Sequence, residues 1–251
     1  MIFLQSRARW RHAASLAGLT VLLCFSPARA SAQVLMGMLF GQLLSSETFN
    51  VGFEVGINFA TLDGMKGAER MNQGVFGLFA DWRFSQHVHL GGSVLPVSAR
   101  GAKGLDPVMT GDASFDSQVA NGTMERKLSY VDIPILLRYA PNREKGFRVG
   151  AGPQIGFRTG ATDRYDAKTT GGSKFTAERD IEGRVPGVDF GLSFDVEYRL
   201  NVLSVGARYT HGLTDTDESP GGGEVYNRVL TGTGRIYLGK KQKPKQAPPG
   251  E

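Results

Sequence analysis

The chain carries four histidines, His12, His87, His89 and His211, and their placement argues against acid–base or metal chemistry. No two of them stand at the spacing that would let them share a metal. Gly191-Leu192-Ser193-Phe194-Asp195 is half of a nucleophile elbow. It lacks the closing glycine and falls in the middle of a strand pattern, where no strand-to-helix turn can lift the serine. Gly150-Ala151-Gly152 has neither the third glycine nor the following helix that a dinucleotide loop needs. His211 with a nearby Ser or Asp could imitate a lipid-modifying barrel enzyme, and nothing further in the sequence completes that site. The expectation is therefore no catalytic residue, no cofactor and no metal centre. Asp215, Asp217 and Glu218 form an acidic cluster that offers oxygen ligands to a hard cation, either Ca²⁺ or one bridging to lipopolysaccharide. A solvated acidic loop is the plainer reading.

The charged residues that demand an explanation lie elsewhere. Glu54, Asp81, Asp132, Asp189, Asp195 and Glu197 alternate with apolar residues, as do Arg83, Arg138, Arg148, Arg158, Arg199, Arg208 and Arg235. Six acids face seven arginines, and lysine is absent from the set. Planar guanidinium groups that pair with several carboxylates at once suit a tight polar interior. Such a set requires walls that point every second residue inward.

The body of the chain supplies those walls. Between residues 49 and 239 the hydrophobic period is two, not 3.6. Phe49, Val51, Phe53, Val55, Ile57 and Phe59 make one face, with Asn50, Gly52, Glu54, Gly56 and Asn58 between them. The clearest strand sets Val188, Phe190, Leu192, Phe194, Val196 and Tyr198 against Asp189, Gly191, Ser193, Asp195, Glu197 and Arg199. Similar runs start near Phe76, Val88, Val131, Phe147, Leu203 and residue 226, which makes eight strands. The connections alternate between long and short, at about 12, 3, 29, 6, 25, 2 and 12 residues. An outer-membrane barrel has that rhythm, with short periplasmic turns and long external loops.

A sheet in lipid must close, because hydrocarbon satisfies no stray backbone group. The apolar face then meets lipid and the charged face fills the lumen of an eight-stranded antiparallel up-and-down transmembrane β-barrel. Eight strands leave room only for side chains. A soluble calycin-like barrel would invert the two faces. Aromatics near strand ends (Phe49, Phe59, Trp82, Phe84, Tyr139, Tyr198 and Tyr209) suit interfacial girdles. The two longest loops, 99–127 and 160–184, are rich in Gly, Asp, Ser, Thr and Lys and are expected to be mobile.

The ends of the chain are an address and a tail. Arg7, Arg9 and Arg11 precede an apolar run from Ala13 to Phe25, and small residues follow at Ala28, Ala30 and Ala32. This is the pattern of a secretory signal peptide over 1–32, cleaved after Ala30 or Ala32. The net charge of +5 belongs largely to these ends. Removing 1–32 takes four arginines and no acid, which leaves 25 basic against 24 acidic residues. The tail, 240–251, holds Lys240, Lys241, Lys243 and Lys245 against Glu251 alone. A nucleic-acid groove is therefore not expected. The single Cys, Cys24, leaves with the signal peptide. Residues 33–48 form a leader and 49–239 the barrel.

Leu128-Ser129-Tyr130-Val131-Asp132-Ile133-Pro134-Ile135-Leu136-Leu137-Arg138-Tyr139 resembles the fourth strand of the PorT-like outer-membrane β-barrel family. The hairpin into Gly150-Ala151-Gly152-Pro153, the leader Leu39-Phe40-Gly41 and Phe53-Glu54-Val55-Gly56 are similar to it too, over roughly residues 33 to 239. The resemblance implies a small barrel of the OmpA/OmpX kind in the cell outer membrane of a Gram-negative envelope. A founding member is implicated in protein secretion, a role that fold alone does not transfer. Small barrels of this kind end in an aromatic residue that the assembly machinery reads. Here Ile236-Tyr237-Leu238-Gly239 is followed by twelve more residues.

The expected partners are outer-membrane lipid and lipopolysaccharide, the barrel assembly machinery, and an extracellular or envelope protein of unknown kind, with the chain a monomer. The function expected is a non-enzymatic structural or surface role through the long loops. The alternatives are a component of an envelope secretion or transport apparatus, and a narrow channel.

Overall fold

The computed structural model describes residues 45–46, 48–107, 117, 121–142, 145–168, 172–218 and 223–238. The signal peptide at 1–32, the leader apart from 45, 46 and 48, and the tail at 240–251 lie outside the described residues.

Nine antiparallel strands follow one another: β1 (Phe49–Asp63), β2 (Glu69–Arg83), β3 (Val88–Leu105), β4 (Asn121–Tyr139), β5 (Gly146–Lys168), β6 (Lys174–Asp180), β7 (Val188–Arg199), β8 (Leu203–Asp215) and β9 (Tyr226–Tyr237). A single 3-10 turn, Glu182–Arg184, lies between β6 and β7. Eight strands form a ring in the order β1-β2-β3-β4-β5-β7-β8-β9. It closes where β9 returns to β1, from Gly52 opposite Tyr237 to Asp63 opposite Tyr226. The ninth strand, β6, pairs only with the far end of β5, from Thr162 opposite Asp180 to Lys168 opposite Lys174.

The alternation of the sequence becomes an alternation of burial. Along β7, Asp189, Gly191, Ser193, Asp195 and Glu197 are buried, whereas Phe190, Leu192, Phe194, Val196 and Tyr198 are exposed. The other strands repeat this, with Val55, Ile57, Leu137, Tyr139, Val149, Val205 and Leu230 exposed on the outside. A soluble barrel would bury these side chains and expose the charges. At the short-turn end Trp82 packs on Phe84 with ring centres 4.4 Å apart, and Phe147 on Tyr198 at 4.9 Å. The turns there are tight: Phe84 N–H bonds to Val88 O at 3.0 Å and Leu200 N–H to Leu203 O at 2.8 Å.

The opposite end departs from the sequence reading. Residues 99–105, 121–127 and 160–168 continue the strands, and 174–180 add a hairpin partner, so much of the expected loop is sheet. Its inward residues form an apolar cap. Leu62, Leu105, Met124, Leu128, Tyr165, Ile181, Val185 and Val225 are buried together over the mouth of the barrel.

Several irregularities interrupt the ladders on the way to the cap, and two of them reset the face of site residues. In β3 the register slips between Leu95 and Ser98 against β4, at Pro96, which has no N–H to give the ladder. Beyond it Val97 points outward, and Ser98 and Arg100 point inward. In β5 the slip lies between Arg158 and Gly160, and it turns Asp163 and Tyr165 inward.

Candidate functional site in the barrel lumen

Each ring strand contributes one or more polar side chains to the interior, and they stack in layers. Nearest the short turns, Asp81 of β2 accepts from Arg148 at 3.1 Å and contacts His89 Nδ1 at 3.2 Å. Arg138 lies 3.8 Å from the same carboxylate and pairs with Asp195 at 2.8 Å. Arg235 is the hub of the next layer. It donates to Glu54 at 2.9 Å, pairs closely with Glu197 and reaches Asp195 at 3.5 Å. Arg208 pairs with the other oxygen of Glu54 at 2.9 Å, and Ser93 donates to Glu54 at 2.7 Å. Four carboxylates thus meet four arginines, all buried and balanced in charge. Mutual attraction in a water-poor interior and multiple hydrogen bonds offset the cost of removing these ions from water.

Aromatic rings line the bottom of this network. Tyr237 donates to Glu197 at 2.8 Å and meets Phe79 edge-on at 4.8 Å. Arg199 lies over the Tyr237 ring at 3.7 Å. Gly52 makes this possible, because a Cβ there would come within 2.6 Å of the Phe79 ring. Gly91 and Gly150 do the same for Arg138, where a Cβ on Gly91 would sit 1.9 Å from a guanidinium nitrogen. Glycine on the lumen wall is therefore space for a neighbour's arginine.

Uncharged groups fill the middle. Ser193 and Thr210 both donate to Gln154 Oε1, at 2.9 and 3.0 Å. Thr231 donates to Asn58, which in turn donates to Ala99 O. The cavity beside them is about 10 Å³, room for one water at most. Above it, Arg100 pairs with Asp132 and, at 3.0 Å, with Asp189. Its guanidinium lies over the Tyr130 ring at 4.0 Å. Asn227 donates to Asp189 at 2.8 Å and Ser98 to Asp132 at 2.6 Å.

A separate clasp lies in the strand extension, where the outward neighbours Lys127, Arg164 and Asp166 are exposed and charged. Arg126 forms a two-pronged pair with Asp163, both bonds 2.8 Å, and a third bond of 2.8 Å to Asp217. Burial alone would lower the Arg126 pKa. The hydrogen bonds and charges of Asp163 and Asp217 outweigh it and hold the guanidinium above its ordinary value. The clasp ties the segment after β8 to the wall made by β4 and β5. Thr216 N–H bonds to Val225 O and Glu218 N–H to Arg184 O, which draws the same segment over the mouth.

The residues expected in the lumen divide accordingly. Glu54, Asp81, Asp132, Arg138, Arg148, Asp189, Asp195, Glu197, Arg208 and Arg235 are buried in the network. Arg158 instead pairs with Glu182 of the 3-10 turn at 3.3 Å. Arg199 is stacked at the short-turn mouth, and Arg83 is half-buried at the end of β2. The structure does not assemble Asp215, Asp217 and Glu218 into a cation site. Asp215 accepts from the N–H groups of Asp217 and Val225, Asp217 belongs to Arg126, and the Glu218 side chain is exposed. Among the described residues no three His, Cys, Asp or Glu side chains are grouped to hold a metal.

Arg100, Arg126 and Asp163 escape a sequence reading. Arg100 and Asp163 lie beyond the slips that reverse their face. Arg126 continues the unbroken alternation of β4 from Arg138, so counting back by twos would have found it.

A family model of the outer membrane protein β-barrel domain matches residues 40–218, more than half of the chain. No curated protein matches it. Several solved structures are similar. Ail, the attachment invasion locus protein of Yersinia pestis, solved with the heparin analogue sucrose octasulfate, is 8% identical with a TM-score of 0.40. That alignment covers 76% of this chain and 99% of Ail. Neisserial surface protein A is 13% identical with a TM-score of 0.37, over 76% of this chain and 97% of its own. OprG of Pseudomonas aeruginosa is 12% identical with a TM-score of 0.27, over 74% and 93%.

Proposed function

Because the chain belongs to the family of outer membrane protein β-barrel domains and resides in the outer membrane, we propose that it is a non-enzymatic barrel with a structural plug for a lumen, working through its long-loop end at the cell surface. The filled interior is the observation that carries this reading. The lumen is crossed by successive layers of paired arginines and carboxylates, a cavity of about 10 Å³ lies between two of them, and an apolar cap lies over the mouth. Such a stack, among the described residues, favours a plug over an open aqueous path.

The chemistry of the remaining candidates supports a non-enzymatic role. His89 is spent on Asp81 with its other nitrogen buried, Ser193 donates to Gln154, and His211 lies 3.4 Å from the Tyr209 hydroxyl. The closed ring leaves no sheet edge in the apolar band, in keeping with a monomer folded by the barrel assembly machinery. Exposed Lys127 and Arg164 beyond the band suit contact with lipopolysaccharide. Within the family, the Leu128–Tyr139 segment favours the PorT-like branch.

Planar-bilayer recording tests the plug. The purified protein should add no stepwise conductance to that of bare lipid. Openings that change in size with Asp195→Asn or Arg138→Gln would replace the plug by a narrow channel.

A further inference from the structure

The charge layer beneath the cap differs from the one below it. Near the short turns four carboxylates meet four arginines. Beneath the cap, Asp132 and Asp189 share Arg100 alone. The other arginines in the neighbourhood are committed elsewhere: Arg158 to Glu182 at 3.3 Å, Arg228 to Asp63 at 3.1 Å and Arg208 to Glu54 at 2.9 Å. Asp132, Asp189 and Arg100 are each at most 4% exposed, so with both carboxylates ionised the layer holds one negative charge more than its single arginine balances. An uncompensated buried ion of this kind is destabilising.

Three oxygens in this layer also lack a well-formed hydrogen bond from the protein: Asp189 Oδ1, Asn227 Oδ1 and Tyr130 Oη. Asn227 and Tyr130 are fully buried. The Asn227 amide holds the other oxygen of Asp189 at 2.8 Å and lies beside Tyr130. Thr214, whose hydroxyl accepts from Phe190 N–H, adds an oxygen close to the same carboxylate. Above them, Leu62, Leu105, Leu128 and Val225 close the layer off.

We propose that this layer is a cation site, in which Asp189, Asn227, Tyr130 and Thr214 hold a single dehydrated sodium ion that balances the extra carboxylate. Hard cations take oxygen ligands. The deficit of one charge selects a monovalent ion over Ca²⁺ or Mg²⁺. A water molecule would satisfy the lone pairs and leave the charge unbalanced. The ligands come from β4, β7, β8 and β9, so occupation ties β4 to the strands on the other side of the ring below the cap.

The test is the thermal transition of the full protein in nonionic detergent at pH 8 and one heating rate, in sodium chloride against choline chloride at equal ionic strength. Sodium should raise the transition by about 3–6 °C for each tenfold increase above half-saturation. Asp189→Asn keeps the Arg100–Asp132 pair and should erase the difference between the two salts. Tyr130→Phe, which keeps the ring under Arg100, should shift the response to higher sodium and serves if Asp189→Asn does not fold. Coincident curves in the two salts overturn the proposal. If they coincide and acidification to pH 5 stabilises the wild type but not Asp189→Asn, a proton balances the charge instead. An equal sodium response in wild type and Asp189→Asn overturns it as well, because the ion would then act elsewhere.

Discussion

Arg235→Ala should lower the stability of the barrel by roughly 3–5 kcal/mol, the cost of breaking a buried ion network on one side. Arg235 reaches Glu54, Glu197 and Asp195 from a single strand, β9, and is 2% exposed. Its removal leaves three carboxylates around a hole where arginine had been. Arg235→Lys should recover only part of the loss, since an ammonium is a point donor and cannot span three partners. The measurement is the temperature at which the compact, unboiled gel form converts to the unfolded one, with a fall on the order of 10 °C expected for Ala. Asp63→Asn is the contrast. It breaks the Arg228–Asp63 pair, in which the aspartate side chain is 62% exposed, and should cost about 1 kcal/mol or less. Equal effects from the two substitutions would mean that the lumen network is as solvated as the surface.

Arg126→Ala should have an effect of similar size, confined to the long-loop end. The substitution strands Asp163 and Asp217, both buried, and frees the segment that Asp217 anchors. The layers from Asp132 down to Asp81 do not depend on this clasp, so the gel conversion temperature should change little. The expected signature is faster amide exchange at residues 216–218 and 225 than in the wild type. If Arg126→Ala unfolds the whole barrel instead, cap and barrel form one cooperative unit. If nothing changes, the clasp does not hold the loop. Asp217→Asn should give a weaker form of the same phenotype, because Asp163 still pairs with Arg126 through two bonds.

Much of this architecture is written in the sequence where alternation runs unbroken. In β7 every second residue from Asp189 to Glu197 points inward as the pattern requires, and no turn or slip intervenes. The ring order follows from the alternation of long and short connections. The pattern fails where one residue is inserted. An observer counting from His89 would assign Arg100 to the outside, because the slip at Pro96 has no strong signature beyond the proline itself. Asp163 is hidden in the same way by the slip after Arg158. Charge misleads in the strand extensions. Thr-Asp-Arg-Tyr-Asp reads as a solvated loop, yet it is half of a hairpin that stands clear of the apolar band, where polar residues belong on the outside.

Phe79 and Tyr237 expose a different limit. Phe79 sits between Leu78 and Ala80 in an apolar run; counting back from Asp81 turns it inward, but only the glycine across from it shows what space the ring fills. Tyr237 lies on the lumen side of a strand whose pattern is weak, and its role emerges only from its contacts with Glu197, Phe79 and Arg199. Single-strand periodicity decides a face; it does not reveal which large side chain fills a gap left by a glycine on the neighbouring strand.

The central claim is that the apolar face meets lipid and the charged face fills the lumen. The chain has a single Cys, in the segment read as a signal peptide, so cysteine scanning starts from a clean background. Single cysteines at Phe190, Gly191, Leu192, Ser193, Phe194 and Val196, spin-labelled in bilayers, report collisions with oxygen dissolved in lipid and with a water-soluble nickel complex. The account predicts high oxygen accessibility at 190, 192, 194 and 196, and low accessibility to both reagents at 191 and 193. Nickel accessibility at the inward positions would show an open aqueous lumen. Loss of the oxygen alternation, or its reversal, would contradict the account and put the apolar faces inside a soluble barrel.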